Sequence, residues 1–240
     1  MKSTIIIPTY NESENIERLI RQVLALPGDF RIIVVDDNSP DGTGKILDKL
    51  ASQLAQIRVL HRPRKLGLGT ANIEGFKLAL KEKADLIFQM DGDLSHQPHY
   101  LIQMLEAIKN CDLVVGSRYI PGGGVKNWGL LRRLLSRMAN LYVRKITGMP
   151  LYDSTSGLKC FRREVIEYFN LDCISSEGYA FQIEMDYLAW KNNFRIQEIP
   201  IVFSERLRGK SKLNRKIIFE AFWLAWKLCM KGIFGRKIKA

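Results

Sequence analysis

Asp91 and Asp93 stand two positions apart at the end of an apolar run, ADLIFQM followed by DGD, residues 84–93. The run is rich in Leu, Ile and Phe and too short for a helix, so it reads as a buried strand. Two like charges at such an end repel and lose hydration unless something compensates them. Either the pair caps a turn and the helix that follows, or it holds a divalent cation with oxygen ligands, Mg²⁺ or Mn²⁺, between carboxylate and phosphate. A D-x-D triplet alone is commonplace; its place after the fourth strand of an α/β pattern is what favours the metal. His96 and His99, on a loop or helix start beside hard carboxylates, read as residues around the site or on the surface rather than as ligands.

Other strand ends carry similar chemistry. VVDDNSPDGT places Asp36 and Asp37 where a carboxylate could accept N–H donors from a base or bind a ribose hydroxyl. The same letters suit a turn and helix cap, and both readings hold together if Asp37 is functional and Asp41 caps. PTYNE leaves the first strand with Tyr10 able to line a base or ribose and Glu12 near a helix start. RPRKLGLG sets Arg64 and Lys65 beside Gly67 and Gly69. It lacks dinucleotide-binding spacing on the first strand, which argues against a nicotinamide cofactor.

The elements that must position these residues alternate. Strands STIII, FRIIVVDD, IRVLH, ADLIFQM and CDLVVGSR are separated by helical patterns such as ESENIERLIRQVLAL and GLGTANIEGFKLALKEK. That order predicts the α/β class, an open and mostly parallel sheet with helices on both sides. Ligands in such sheets bind beyond the carboxyl ends of the strands, where PTYNE, VDDNSPDGT and MDGDLSH all fall. After about residue 120 come a glycine-rich loop, IPGGGVKNWG, and a basic amphipathic helix, LLRRLLSRMANLYVRKITG. A last strand, FRIQEIPIVF, follows two further segments, and no linker divides the body.

Of the net charge of +12, eleven Lys or Arg and one acid, Glu220, lie between Arg206 and Ala240, leaving +2 for the rest. A near-neutral body with a basic tail implies a polyanionic partner. No nucleic-acid recognition motif is present, and the tail interleaves its charges with bulky apolar residues, which excludes nucleic acid in favour of lipid. In KIIFEAFWLAWKLCMKGIF, Lys216, Glu220, Lys227 and Lys231 share a stripe of about 60° at helical spacing. Charges interrupt the length that a spanning helix needs, so the segment reads as lying in the membrane interface, with packing on the body or on a second copy as the alternative. The first residues are no secretory signal, and four scattered cysteines without a C-x-x-C pair fit a reducing, cytoplasmic compartment.

Taken together, PTYNE, DDNSPDGT, GLGTA, MDGDLSH, GSRY and GYAFQIEM resemble the family 2 inverting glycosyltransferases, and within them the dolichol-phosphate (polyprenyl-phosphate) mannosyltransferase branch, over residues 3–213. The resemblance implies a GT-A (Rossmann-like) catalytic domain over residues 1–213, with residues 214–240 as the membrane-interface tail. It implies a GDP-mannose donor, Mg²⁺ or Mn²⁺, and a polyprenyl (dolichyl) phosphate acceptor at the cytoplasmic membrane face. Carried over by motif, Pro8, Tyr10, Glu12, Asp37, Lys65 and Asp91 bind the nucleotide, and Asp91, Asp93 and Ser95 surround the metal, with Ser95 a neutral ligand. Arg118, Arg132, Ser136, Arg206 and Lys212 gather around donor and acceptor phosphates, for which guanidinium forks are well matched. Asp91, Asp93, Arg118 and Arg132 carry the catalysis, while Arg133, Arg137 and Arg144 read as solvated surface charges. The PGGGV loop would close over the acceptor.

The implied chemistry is attack by an acceptor phosphate oxygen with inversion at the anomeric carbon. A phosphomonoester with a second pKa of about 6 is mostly dianionic at pH 7 and needs no general base. Relatives in that branch often add transmembrane helices, so this chain is expected to dock peripherally or to work with a membrane-protein partner. Two rivals remain: transfer of glucose or another sugar from a UDP-sugar to the same class of lipid phosphate, and a non-enzymatic membrane-associated scaffold. A sugar nucleotidyltransferase would carry a glycine- and arginine-rich loop where PTYNE stands.

Overall fold

Three consecutive isoleucines, Ile5–Ile7, sit at the centre of the fold with no exposed surface. They belong to β1 (Ser3–Thr9), flanked by β2 (Phe30–Asp36) and β4 (Leu86–Gln89), both parallel to it. β3 (Ile57–His61) adds to β2 in the same direction. A strand covered on both faces needs apolar residues at every position rather than at alternate ones, which is why these segments read as continuous runs. The computed structural model describes residues 1–204 together with Trp223, Ala225 and Trp226.

Side-chain alternation divides the core into two layers. Ile5, Ile7, Ile32, Val34 and Phe88 face α1 (Ile16–Leu24), α2 (Thr43–Gln53) and α4 (Tyr100–Ala107). Ile6, Ile33, Val35 and Ile87 face α3 (Leu68–Lys81), α6 (Arg163–Tyr168) and α7 (Gly178–Lys191). α1 buries Ile16, Leu19, Ile20 and Val23, the spacing of one helix face. α3 approaches so closely that a Cβ on Gly75 would stand 2.3 Å from Ile6 Cγ2.

The sheet has seven strands in the order β3-β2-β1-β4-β7-β5-β8, with β5 (Leu113–Ser117), β7 (Lys159–Arg162) and β8 (Ile196–Pro200) completing it. The mostly parallel sheet flanked by helices agrees with the sequence reading. β7 departs from it, running antiparallel between β4 and β5. Its Lys159 is fully buried, with Nζ 2.6 Å from Asp186 Oδ1 and 2.8 Å from the Gln182 carbonyl on α7. The glycine-rich loop contains a strand, β6 (Gly124–Lys126), that pairs in parallel with β9 (Val202–Ser204) as a separate small sheet. The expected last strand is therefore two strands, with Ile201 between them.

The basic helix is α5 (Leu130–Thr147), which buries only Asn140, Val143 and Thr147. Leu130, Leu131, Leu134, Leu135, Met138 and Leu141 are each more than half exposed. At 100° per residue these six fall within an arc of roughly 140°, with Arg133, Arg137 and Arg144 beside it. Among the described residues no helix is long and apolar enough to cross a membrane. The expected interface tail at 214–240 lies outside the described residues apart from buried Ala225 and the exposed Trp223 and Trp226. Arg206 and Lys212 also lie outside them.

Candidate active site

Parallel pairing brings three acidic ends to one edge of the sheet. Thr9 is in register with Asp36, the Asp37 N–H donates to the Thr9 carbonyl at 3.0 Å, and the Met90 N–H donates to Ile6 at 3.1 Å. Tyr10, Asp37 and Asp91 thus leave neighbouring strands side by side, at the edge where open α/β sheets bind ligands.

At the β2 end the carboxylates are saturated from within the protein. Asp36 accepts from the Thr9 hydroxyl at 2.9 Å and from the Ser39 N–H and hydroxyl at 3.0 and 2.6 Å. Asp37 is buried and accepts Arg62 Nη1 at 2.6 Å on one oxygen and the Leu66 and Gly67 N–H groups at 3.3 and 2.9 Å on the other. Asp37, expected to bind nucleotide, therefore ties down the loop after β3. Asp41 caps as its position suggests, accepting from the Thr43 and Ser13 N–H groups, both at 3.0 Å. Burial raises its carboxyl, but hydrogen bonds from Thr43 and Ser13 outweigh that and hold it below the ordinary range.

Tyr10 and Lys65 do come together, with Lys65 Nζ 3.9 Å from the centre of the Tyr10 ring. Pro8 is half-buried at the end of β1. Glu12 is buried below the turn; its carboxylate accepts Asn15 Nδ2 at 3.0 Å and its N–H donates to Thr43 Oγ1 at 3.0 Å.

The β4 end has a different character. Asp93 is buried, and its Oδ1 accepts the Ser95 N–H at 3.0 Å, while Asp91 keeps 29% of its side chain exposed. Ser95 Oγ is buried without a hydrogen-bond partner, an orphaned oxygen close to both carboxylates in sequence. A Cβ on Gly157 would stand 3.0 Å from Asp91 Oδ2, so that glycine leaves the carboxylate its room. Among the described residues no three His, Cys, Asp or Glu side chains cluster to hold a metal. Two carboxylates and a hydroxyl are an incomplete, all-oxygen donor set. They fit a hard ion that completes its shell with water and substrate phosphate.

His96 is buried, with Nδ1 3.8 Å from Asp91 Oδ2 and its ring edge-on to Phe203. Burial lowers its pKa to about 4; Asp93 and Asp153 pull upward and Arg118 pushes down. His99 is exposed and lies against Tyr100.

Arg118, expected at the phosphates, is held by an acid of the protein itself. It is buried, its Nε and Nη2 fork onto Asp153 at 2.7 and 2.6 Å, and Nη2 also reaches Thr155 Oγ1 at 2.7 Å. Burial alone would lower its pKa, but Asp153, with smaller contributions from Tyr119 and Tyr179, holds it well above the ordinary value. Arg132 lies over the Trp128 ring, 4.1 Å from its centre. Ser136 accepts the Tyr119 hydroxyl at 2.6 Å. Trp128 and His96 both pack edge-on against Phe203 of β9, and the Ser204 N–H donates to the Ser95 carbonyl at 3.1 Å. The strand that leads toward Arg206 is thereby fastened to the D-x-D loop.

Four further residues shape this edge without a signal of their own in the sequence. Arg62, Asp153, Gly157 and Glu177 meet their partners 25, 35, 66 and 108 positions away. No local spacing announces such pairs.

A family model for glycosyl transferase family 2 matches residues 4–169. The chain is 42% identical to a polyprenol monophosphomannose synthase of Mycolicibacterium smegmatis, covering all of this chain and 90% of the relative. It is 41% identical to an undecaprenyl-phosphate mannosyltransferase of Micrococcus luteus, covering 92% and 91%. With a dolichol-phosphate mannosyltransferase of Pyrococcus furiosus it shares 40% identity over 92% of this chain and 61% of that one. The fold matches glucosyl-3-phosphoglycerate synthase from Mycobacterium tuberculosis with a TM-score of 0.71 at 17% identity, covering 95% and 80% of the two chains. A structure of that synthase with Mn²⁺, UDP and glucosyl-3-phosphoglycerate gives a TM-score of 0.68 at 18% identity over the same shares. With its mostly parallel sheet, its acidic strand ends and relatives of this identity along its whole length, the chain belongs to glycosyl transferase family 2.

Proposed function

We propose that the protein transfers mannose from GDP-mannose to a polyprenyl phosphate, with inversion at the anomeric carbon, at the cytoplasmic face of a membrane to which it binds peripherally. The observation that carries this reading is the β4 end. Partly exposed Asp91, buried Asp93 and the orphaned Ser95 Oγ follow the strand next to β1, whose end carries the Tyr10–Lys65 pair. The three relatives at 40–42% identity are all named for mannose transfer to a polyprenyl-type lipid phosphate.

Asp91, Asp93 and Ser95 would hold Mg²⁺ or Mn²⁺, which when bound offsets charge on the departing nucleoside diphosphate. Tyr10, Lys65, Pro8 and Glu12 form the wall against which the nucleotide binds. Arg132, stacked on Trp128, and Ser136, fixed by Tyr119, serve the phosphates, with Arg206 and Lys212 as the remaining candidates. Arg118, forked onto Asp153, lies against the same Trp128 ring as Arg132 and is a further candidate for the phosphates. An acceptor phosphate oxygen forms the bond to the anomeric carbon as the bond from that carbon to the diphosphate breaks, and GDP leaves with the electron pair. The attacking oxygen is already deprotonated, so no side chain need serve as base.

The outward apolar arc of α5, bordered by Arg133, Arg137 and Arg144, supports attachment to an anionic membrane surface. Co-sedimentation with anionic vesicles tests this. Leu134→Ser with Leu135→Ser is expected to lower the bound fraction, and unchanged sedimentation would remove α5 from the membrane contact.

Calorimetric titration with GDP, UDP, GDP-mannose and UDP-glucose, with and without Mg²⁺ or Mn²⁺, tests the donor. Metal-dependent binding selective for guanine is the expected result. Selectivity for uracil would move the donor to a UDP-sugar, and no nucleotide binding at all would leave the scaffold reading.

A further inference from the structure

The N-cap of α3 is Gly67, whose φ of +108° and missing side chain leave the helix without a capping group of its own. The donors at its first turn are satisfied from far away: Gly69 N–H reaches Glu177 Oε2 at 2.9 Å and Thr70 N–H reaches Oε1 at 3.4 Å. A carboxylate at a helix N-terminus is favoured both by the open N–H groups and by the helix dipole. Glu177 is also the N-cap residue of α7, its carbonyl accepting the Ala180 N–H at 3.1 Å. One residue thus joins the starts of two helices.

The glycines of GLGTA are explained by this contact. A Cβ on Gly69 would meet the Ser176 carbonyl oxygen at 2.3 Å, and one on Gly67 would meet Glu177 Oε2 at 2.5 Å. The backbone of the loop is therefore held from two directions. Asp37 takes the Leu66 and Gly67 N–H groups, and Glu177 takes those of Gly69 and Thr70. Arg62 completes the frame by binding Asp37, the Gly67 carbonyl at 3.1 Å and Thr70 Oγ1 at 2.7 Å. Lys65, the residue that stands over Tyr10, enters this loop immediately before Leu66.

We propose that Glu177 is a positioning residue of the donor pocket: by fixing the loop that carries Lys65 it sets the affinity for the donor nucleotide. The inference rests on the reading above, in which Tyr10 and Lys65 bind that nucleotide. Glu177 acts through the loop and touches no reacting atom. Because the Asp37 half of the frame persists without it, its loss weakens donor binding without abolishing it.

The test is Glu177→Gln, which keeps the shape but removes the charge and one acceptor oxygen. GDP affinity in the presence of Mg²⁺ is expected to fall about tenfold, the effect of losing one charge-assisted hydrogen bond. The KM for polyprenyl phosphate stays put, and amide exchange at Gly69 and Thr70 accelerates. Unchanged GDP affinity in a variant whose loop amides exchange faster would overturn the inference, as would an equal loss for donor and acceptor. Absence of GDP binding by the wild-type protein would instead overturn the donor reading, and this inference with it. If Glu177→Gln lacks a cooperative thermal transition, Gly69→Ala pushes Ser176 from the same loop and is read for the same donor-only loss.

Discussion

Two pairs of acids, Asp36–Asp37 and Asp91–Asp93, leave parallel strands at the same edge of the sheet, yet the protein uses them differently. The first pair is enclosed by donors the protein supplies: Thr9, Ser39, Arg62 and two backbone N–H groups. In the second, Asp93 accepts the Ser95 N–H, Asp91 stays partly exposed, and the Ser95 hydroxyl is buried without a hydrogen-bond partner. A carboxylate surrounded by protein donors is a structural tie, and one that looks outward beside an orphaned oxygen suits a cation.

Removing one acid from each pair breaks or sharpens this contrast. Asp93→Asn is expected to lower mannose transfer about a thousandfold or more, because charge on the leaving diphosphate loses its compensation. Its unfolding free energy should fall by less than that of Asp37→Asn, because Asn keeps an oxygen to accept the Ser95 N–H. Asp37→Asn should do the reverse, leaving the buried Arg62 guanidinium with the half-exposed Glu74 as its remaining carboxylate and costing about 3 kcal/mol in denaturant unfolding. Should Asp37→Asn unfold like the wild type while losing transfer, the β2 pair would be functional and the contrast would collapse.

Much of the edge was legible because its determinants are local. The apolar runs of β1, β2 and β4 and the acids that end them lie within a few residues of each other, and parallel pairing does the rest. What escaped depends on distant partners. Lys159 makes KCFR look unlike a strand, and its partner Asp186 stands on a helix that begins sixteen residues after β7 ends. Arg118 in GSRY reads as a phosphate ligand, and its partner Asp153, 35 positions away, is invisible to local spacing. The glycines of GLGTA lack dinucleotide-binding spacing, and what their bareness admits, Ser176 and Glu177, lies more than a hundred positions away. The amphipathic pattern of α5 is plain in the letters, but periodicity does not say which face turns outward, and here the apolar face does.

Acid separates the two strand ends by a smaller effect, through His96. Its ordinary pKa of 6.5 falls to about 4 because burial strips the ring of water, a loss that Asp93 offsets only in part. Between those values the unfolded chain takes up a proton that the folded protein refuses, so the stabilising contribution is complete above pH 6.5 and is lost as pH falls toward 4. A shift of that size corresponds to roughly 3 kcal/mol. At the β2 end, Asp41 has a lowered pKa, so its contribution is present above its ordinary 3.8 and fades only below it, as the folded carboxylate protonates. The β4 end should therefore weaken first on acidification. Denaturant unfolding across pH 7 to 4 should show a decline in the wild type that His96→Gln flattens, and the same slope in both proteins would mean that the buried imidazole takes up its proton without cost to the fold.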